Sequence, residues 1–510
     1  MSNVQNEAPL KRFSDMPERK HNWILGLVQR FTPFVSRLWN SPTIMTWISM
    51  STRIGGLAIL VPIVLTRLSA PEVLIWQMIA SITIIITLAD FGFNPTFARI
   101  IAFARGGGTM GQLVAGGRGG AGLPPDDRSE SALSISGVLI AQATVYRRLI
   151  LIAAIISAVG GSLALWRPIA MMEHPIDGWV AWICAAAAGL LILANGANVA
   201  VLTGFDRIAL ARRLDAIVSM LQLASTCVVA LAGFGLVGIV LCYSLWMIPL
   251  FVLNHRYGRA AAMTVPRAEQ APDPRITGEI WRSAWRSGVG IIASTGIIQA
   301  SGLVYAQIAS VADAAAYLLL LRAVTVAAQL SQAPFYSRLP RMAQLRAEGR
   351  IGEVADLARR GMGLAFWTYV VTALGLLLVA PPALRLIGSS VSFPDAAVSF
   401  VLVAAFFVER YCAMHIQIYS LTHHIIWHIM NGITGGLMIF FGLMLLQMFG
   451  QIALPLAMLL GYSCFFAWYG SRLSLRSLSA GRWEFELRTS VAPGLLLMVC
   501  LVAGETLING

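Results

Sequence analysis

Three arginines sit where a charge is costly. Arg53, Arg322 and Arg410 fall inside long apolar runs, and a charged side chain near the middle of a bilayer needs a partner or a wet interior. Arg53 and Arg322 each lie about nine residues into their runs, roughly 13 Å deep at 1.5 Å per residue. Arg410 has similar depth and follows Glu409. A guanidinium presents a planar fork matched to phosphate oxygens and keeps its charge when partly desolvated. Three of them around one cavity would suit a diphosphate. The competing reading is compensation: Arg410 with a neighbouring acid, Arg53 with Asp90 or a carbonyl.

A second group lies in "LADFGFNPTFARIIAFA", residues 88–104. Asp90 and Arg99 are too far apart for an i, i+4 pair on one helix. Asn94-Pro95 removes a backbone bond and can bend a helix there. Asp90 is expected near the cytoplasmic mouth of a cavity, paired with an arginine on another helix, Arg53 or Arg286. Arg99 is expected at the surface where an anionic headgroup arrives. In this reading Asp90, Pro95 and Glu409 belong to a gate; the alternative is a plain helix end carrying topology charges.

The elements that hold these residues are legible in the composition. The chain has 510 residues, 57% hydrophobic and 12% charged, about half the charged fraction of a soluble domain. Apolar runs near 20 residues recur, each long enough for a bilayer core about 30 Å thick. They are placed at Ile44–Leu65, Val73–Phe103, Leu149–Trp166, Trp179–Leu202, Ala216–Ala232, Gly235–Leu253, Gly288–Ala309, Ala314–Phe335, Met362–Ala380, Ala396–Leu421, Ile425–Met448 and Gln451–Ser471. A shorter thirteenth run, Val491–Ile508, contains Gly504 and Glu505. The expected fold class is an all-α polytopic membrane protein with about twelve transmembrane helices.

Charge sets the expected orientation. With a cytoplasmic N-terminus, only Arg67, Arg167 and Arg385 fall in external loops; apart from the three intramembrane arginines, the rest of the 37 Lys and Arg are cytoplasmic. The +13 net charge is thereby assigned to topology and anionic lipids, not nucleic acid. The organisation reads as a basic segment 1–43, a six-helix half 44–254, a cytoplasmic linker 255–287, a second half 288–472 and a tail 473–510 with the extra run. Within the first segment, "HNWILGLVQRFTPFVSRLW" spaces its apolar residues as an interfacial helix or belongs to a basic tail.

No cofactor or metal motif is found. The six cysteines sit in apolar runs without CxxC spacing. His415, His423, His424 and His428 cluster near the cytoplasmic end of span 10 and the start of span 11; they read as interfacial residues, with proton shuttling or metal binding as the alternatives. A GxGxxG match at Gly117, Gly119 and Gly122 lies in the Gly-rich loop 104–146, with no preceding strand and no Lys-Ser/Thr after it, so it reads as linker. Asn195, Asn198, Gln299, Gln307, Gln329 and Asn431 would bond sugars or bond between helices.

Two stretches align without gaps at an offset of 241: Ser69 with Ser310, Glu72 with Asp313, Trp76 with Tyr317. Both begin with a small-polar-acidic turn, run through an apolar helix and break at a Pro. Parallel repeats about an axis along the membrane normal would follow, with a site between the halves.

The start of span 1 ("STRIGGLAILVPIVLTRLSAPEVLIWQM"), the "ADFGFNPTFAR" end of span 2, the connection "LTGFDRIALARRLDAI" and the span 7–8 stretch "VADAAAYLLLLRAVTVAAQLSQAPFYSRLPRMAQLRAEG" resemble polysaccharide flippases of the Wzx type. These belong to the MATE/MOP superfamily, with the MATE exporters and lipid II flippases. The resemblance covers roughly Trp47 to Arg472; the long Gly-rich loop and the thirteenth run depart from it. It implies a MATE-like fold and translocation of an undecaprenyl-diphosphate-linked oligosaccharide for exopolysaccharide or O-antigen, in the bacterial inner membrane. The implied partners are the lipid-linked oligosaccharide, membrane lipids, H+ or Na+, and a polysaccharide polymerase with chain-length proteins. The competitors are an ion-coupled antiporter of small molecules and a membrane polymerase or glycosyltransferase. The first would favour acidic cavities; the second would need a sizeable external loop, which the span map does not contain.

Overall fold

The structure is a computed structural model. It describes residues 45, 55, 56, 59–107, 134–264, 278, 281, 288–422, 424 and 426–509, with 502 and 504–509 as backbone only. Arg53, Arg286, His423, the interfacial helix and the GxGxxG match lie outside the described residues.

Ten helical runs among them are long and apolar enough to cross a membrane. In chain order the helices are α1 (residues 59–67), α2 (Ala70–Leu88), α3 (Phe93–Arg105), α4 (Ile135–Ala170), α5 (Pro175–Gly204), α6 (Ile208–Leu231) and α7 (Gly235–Ala262). They continue with α8 (Gly288–Ile308), α9 (Val311–Ser331), α10 (Leu339–Ala347), α11 (Ile351–Leu386), α12 (Ala396–Ser420) and α13 (Trp427–Phe449). The apolar run Trp427–Ser477 folds back at Gly450, whose φ of 53° lies in the left-handed region. α14 begins there as Ala453–Gly461 and runs on through Ala467–Ser477, so that Gly461 meets Met438 and Gly442 meets Leu454. A short α15 (Arg482–Glu486) precedes α16 (Ala492–Asn509). The expected thirteenth run is this helix: Leu497 and Leu501 are buried while Leu495, Met498 and Val499 face outward.

Several helices outrun the apolar segments that announced them. α4 begins at Ile135, inside the stretch read as Gly-rich loop, with Ser134 as its N-cap. Gly137, Val138, Ala141 and Val145 bury one face of that extension. α7 continues to Ala262, into the segment read as linker, and α11 starts at Ile351 rather than near Met362. Hydropathy marks where lipid begins, whereas a helix with one buried face continues past the bilayer.

The aligned stretches share their local structure. α2 starts at Ala70 and α9 at Val311, the same offset of 241 seen in the sequence. Ser69 N–H and Oγ both donate to the Glu72 carboxylate, at 2.9 and 2.8 Å. Ser310 Oγ donates to Asp313 at 2.7 Å and accepts from its N–H at 3.1 Å. At both helix starts the acid three residues after the cap accepts the serine hydroxyl; at α2 it also takes the cap N–H, and at α9 the serine takes the acid's own N–H.

One large apolar cluster joins α2, α4 and α5 to α8, α9, α11 and α12. Two further clusters gather at the end where the arginines concentrate, called here the basic end. One holds Phe93, Phe97, Tyr146 and Phe205; the other holds Phe335, Met342, Phe366 and Phe485. Among the described residues four hydrogen bonds link the chain before residue 265 to the chain after 288, all toward the opposite end. Ser390 N–H and Oγ both donate to the Leu65 carbonyl (2.9 and 3.1 Å), Gln307 to the Ala164 carbonyl (2.6 Å) and Gln77 to the Ala315 carbonyl (3.1 Å). The described hydrogen bonds between the halves thus lie toward one end of the bundle, while at the basic end the two further clusters each belong to one half.

Candidate functional site

The two helices with matching starts, α2 and α9, pack against each other. On their seam the Arg322 guanidinium carbon sits 4.8 Å from the centroid of the Trp76 ring, a cation–π arrangement that favours a desolvated cation. Arg322 Nη1 is buried with no hydrogen-bond partner, as is Gln77 Oε1 on α2. Among the described residues no carboxylate forms an ion pair with Arg322. Buried polar groups are normally paired; a buried cation with an unused donor on an aromatic face is able to hold an oxygen-rich anion or ordered water.

Arg410 is placed differently. Its guanidinium folds back on Glu409 in a two-bond ion pair, both side chains largely buried. Adjacent residues point apart on a helix, but two long side chains can loop round to meet. Nη1 of Arg410 remains buried and unpartnered. The two candidate arginines described by the structure therefore differ: Arg322 rests on an aromatic face, Arg410 on a carboxylate.

Asp90 lies in the break between α2 and α3. Tyr146 of α4 donates to its Oδ1 at 2.5 Å, and the Asn94 N–H donates to Oδ2 at 3.1 Å. Asn94 Nδ2 in turn donates to the Gly196 carbonyl of α5 at 3.0 Å. Gly196 lies beside the pair: a Cβ on it would stand in ordinary contact, 3.4 Å from the Tyr146 hydroxyl and 3.5 Å from Asp90. Among the described residues the partner of Asp90 is a tyrosine; Arg53 and Arg286, the arginines expected there, lie outside the described residues. Tyr146 was missed because it closed what read as a loop.

The break itself falls earlier than Asn94-Pro95. Phe91 has φ 49° and Gly92 φ 75°, both left-handed. Pro95 sits in the first turn of α3, where a missing N–H costs nothing. It starts the new helix rather than bending an old one. Phe91 packs on the Gly288 backbone at the start of α8, where a Cβ would approach its ring to 2.1 Å. Arg99 is exposed on α3 at the basic end.

The remaining polar membrane residues mostly bond between helices. Asn254 donates to Asn195 (3.1 Å), His255 meets Asn198 (3.2 Å), and Asn431 donates to the Gly290 carbonyl (3.0 Å). His415 is fully buried, its Nε2 3.2 Å from Glu486 Oε1. Among the described residues no three His, Cys, Asp or Glu converge to hold a metal ion.

No family model matches the chain, and no curated protein does. Solved structures do. One is an inward-facing conformation of a multidrug resistance MATE family transporter of the MOP superfamily, with TM-score 0.62 and 13% identity over 86% of this chain and 99% of that one. Another is the lipid II flippase MurJ in an inward closed conformation, with TM-score 0.53 and 12% identity over 90% and 93%. A third is the Vibrio cholerae MATE transporter VcmN in the bent form, with TM-score 0.50 and 14% identity over 89% and 99%. At such identities the likeness is one of fold: the chain has the MATE-like all-α architecture.

Proposed function

We propose that this protein is a flippase. It carries an undecaprenyl-diphosphate-linked oligosaccharide from the cytoplasmic to the outer leaflet of the bacterial inner membrane, for exopolysaccharide or O-antigen synthesis. The observation that carries this reading is the unpaired Arg322 held on Trp76 at the α2–α9 seam. A desolvated cation with unused donors favours an anionic headgroup such as a diphosphate. The fold shared with a lipid II flippase supports translocation of a lipid-linked substrate. Two six-helix halves rock about the hydrogen-bonded end, and the basic end faces the cytoplasm. Arg53 and Arg410 join Arg322 at the headgroup, Arg99 meets it on arrival, and Asp90, Pro95 and Glu409 form the gate region. The protein hands its cargo to a polymerase and chain-length proteins, and H+ or Na+ drives the cycle.

The test is Arg322→Ala and Arg322→Lys at matched membrane expression, in a strain lacking the native gene. Surface polysaccharide and the leaflet of the lipid-linked precursor are scored. Lost polymer with precursor held inside in Arg322→Ala, partly restored by Lys, supports the reading. Full activity of Arg322→Ala refutes the headgroup role.

A second reading, an ion-coupled antiporter of small molecules, draws on Asp90 and Glu409: each half of the bundle holds a carboxylate engaged inside it. Cation-dependent export of a small solute, with normal surface polysaccharide in the deletion strain, would select it.

A further inference from the structure

A cavity of about 1100 Å³ is lined by α2, α4 and α8, with Phe91 of the α2–α3 break, Gly278 and Trp281. Its wall is hydrocarbon, with Thr144, Arg148 and Ser157 contributing the only polar aliphatic side chains among the lining residues. Two widened π-turns shape it, Ser157–Gly161 in α4 and Ile292–Gly296 in α8. Such turns are rare and break the regular helix surface. Here both carry glycine on the cavity wall, Gly160 and Gly161 on one side and Gly296 on the other. Ile152 and Ile156 on the wall are more than half exposed, as are Leu151 and Ile155 beside them on α4, so the α4 wall of the cavity borders the apolar outer surface of the bundle.

Charge gives the cavity a direction. Arg148 marks its basic end, exposed and without an ion-pair partner among the described residues. Gly161 lies thirteen residues further along α4, roughly 20 Å away at 1.5 Å per residue. The cavity is therefore a cation at the membrane surface above a hydrocarbon shaft that reaches through about two-thirds of a 30 Å bilayer core. Its volume over that length corresponds to a cross-section of roughly 55 Å², wider than one stretched alkyl chain.

We infer that this cleft seats the polyprenyl chain of the translocated lipid, with its phosphate at Arg148, before the headgroup enters the α2–α9 seam. This inference rests on the flippase reading and adds the tail site and the loading pose. The methyl-branched chain fills the width, the π-turns supply it, and the α4 wall on the apolar outer surface lets the chain arrive from the bilayer rather than through water. Arg148 then fixes the phosphate at the level where the cytoplasmic headgroup begins.

The experiment uses the purified full-length chain in detergent and native mass spectrometry with two probes, undecaprenyl phosphate and geranyl diphosphate. Gly160→Phe projects into open space, since a Cβ there meets nothing within 4 Å; Ile156→Trp fills the same cleft from an exposed position. Displacing two methylenes from an apolar cleft amounts to about tenfold in affinity. Both variants should therefore bind undecaprenyl phosphate at least about tenfold more weakly, with geranyl diphosphate unchanged, while Arg148→Ala weakens both probes. Unchanged undecaprenyl phosphate binding in both monodisperse filled variants overturns the tail site. So does equal competition by phosphatidylglycerol, which would make the cleft a seat for bulk lipid. Either result leaves the Arg322 test standing. A wild-type chain that binds neither probe would instead sink the flippase reading itself.

Discussion

The Arg322 guanidinium lies 4.8 Å above the Trp76 ring, joining the two helices that begin at the same point of the sequence repeat. Among the described residues neither has a charged partner, and the ring face offsets part of the desolvation of the cation. Cation–π contacts range from about 0.5 to 2 kcal/mol, the upper end applying when water is excluded. Trp76→Ala should lower thermal stability in detergent by an amount in that range plus lost packing, and Trp76→Phe by less. A melting temperature unmoved by Trp76→Ala would show that the ring does not hold the arginine.

The position of the break in span 2 has a mutational signature. Gly92 is left-handed at φ 75°, and a Cβ there costs roughly 1–2 kcal/mol. Gly92→Ala should destabilise the chain by about that much, while Pro95→Ala, in the first turn of α3, should leave stability within about 0.5 kcal/mol. The reverse order, read by thermal denaturation, would return the bend to Asn94-Pro95.

Asp90 and Tyr146 form one unit across α2 and α4. A hydrogen bond to a charged group contributes about 1.5–3 kcal/mol. In a double-mutant cycle of Asp90→Asn and Tyr146→Phe, a coupling energy of that size is expected. If the pair also gates transport, each single variant slows precursor translocation at normal expression. Unchanged transport in Asp90→Asn would reduce the pair to helix packing.

Glu486 ties the extra helix to the bundle. Tyr411 Oη donates to it at 2.8 Å and Ser490 Oγ at 2.5 Å, with His415 beside it. Burial pushes its carboxyl up, but His415 and the two hydroxyls outweigh that and hold it below the ordinary carboxylate range. The folded chain therefore takes up this proton less readily than the unfolded one. The stabilisation is full above about pH 4.3 and is lost as pH falls through the lower folded value. Wild type should lose stability along that acid limb, and Glu486→Gln should be less stable at neutral pH with a flatter limb. Parallel pH profiles for the two proteins would refute this assignment.

Composition determined that this is a helical bundle in a membrane. Some twenty apolar residues in a row leave a helix as the way to satisfy the backbone inside lipid, and the recurrence of such runs gave the spans. The fold-back at Gly450 and the matched starts of α2 and α9 were also legible, because a left-handed glycine and a Ser-x-x-acid cap are local rules. Helix ends beyond the bilayer were not, since the amphipathic face of Ile135–Leu149 has meaning only once α3 and α5 are there to cover it. The partners of the charges were decided by tertiary structure alone. The sequence places Arg322, Asp90 and Arg410 at depth, but whether each meets a ring, a phenol or the neighbouring acid depends on which helix faces it. The cleft beside Arg148 belongs to the same class: it is space between three helices, and no one segment of the chain contains it.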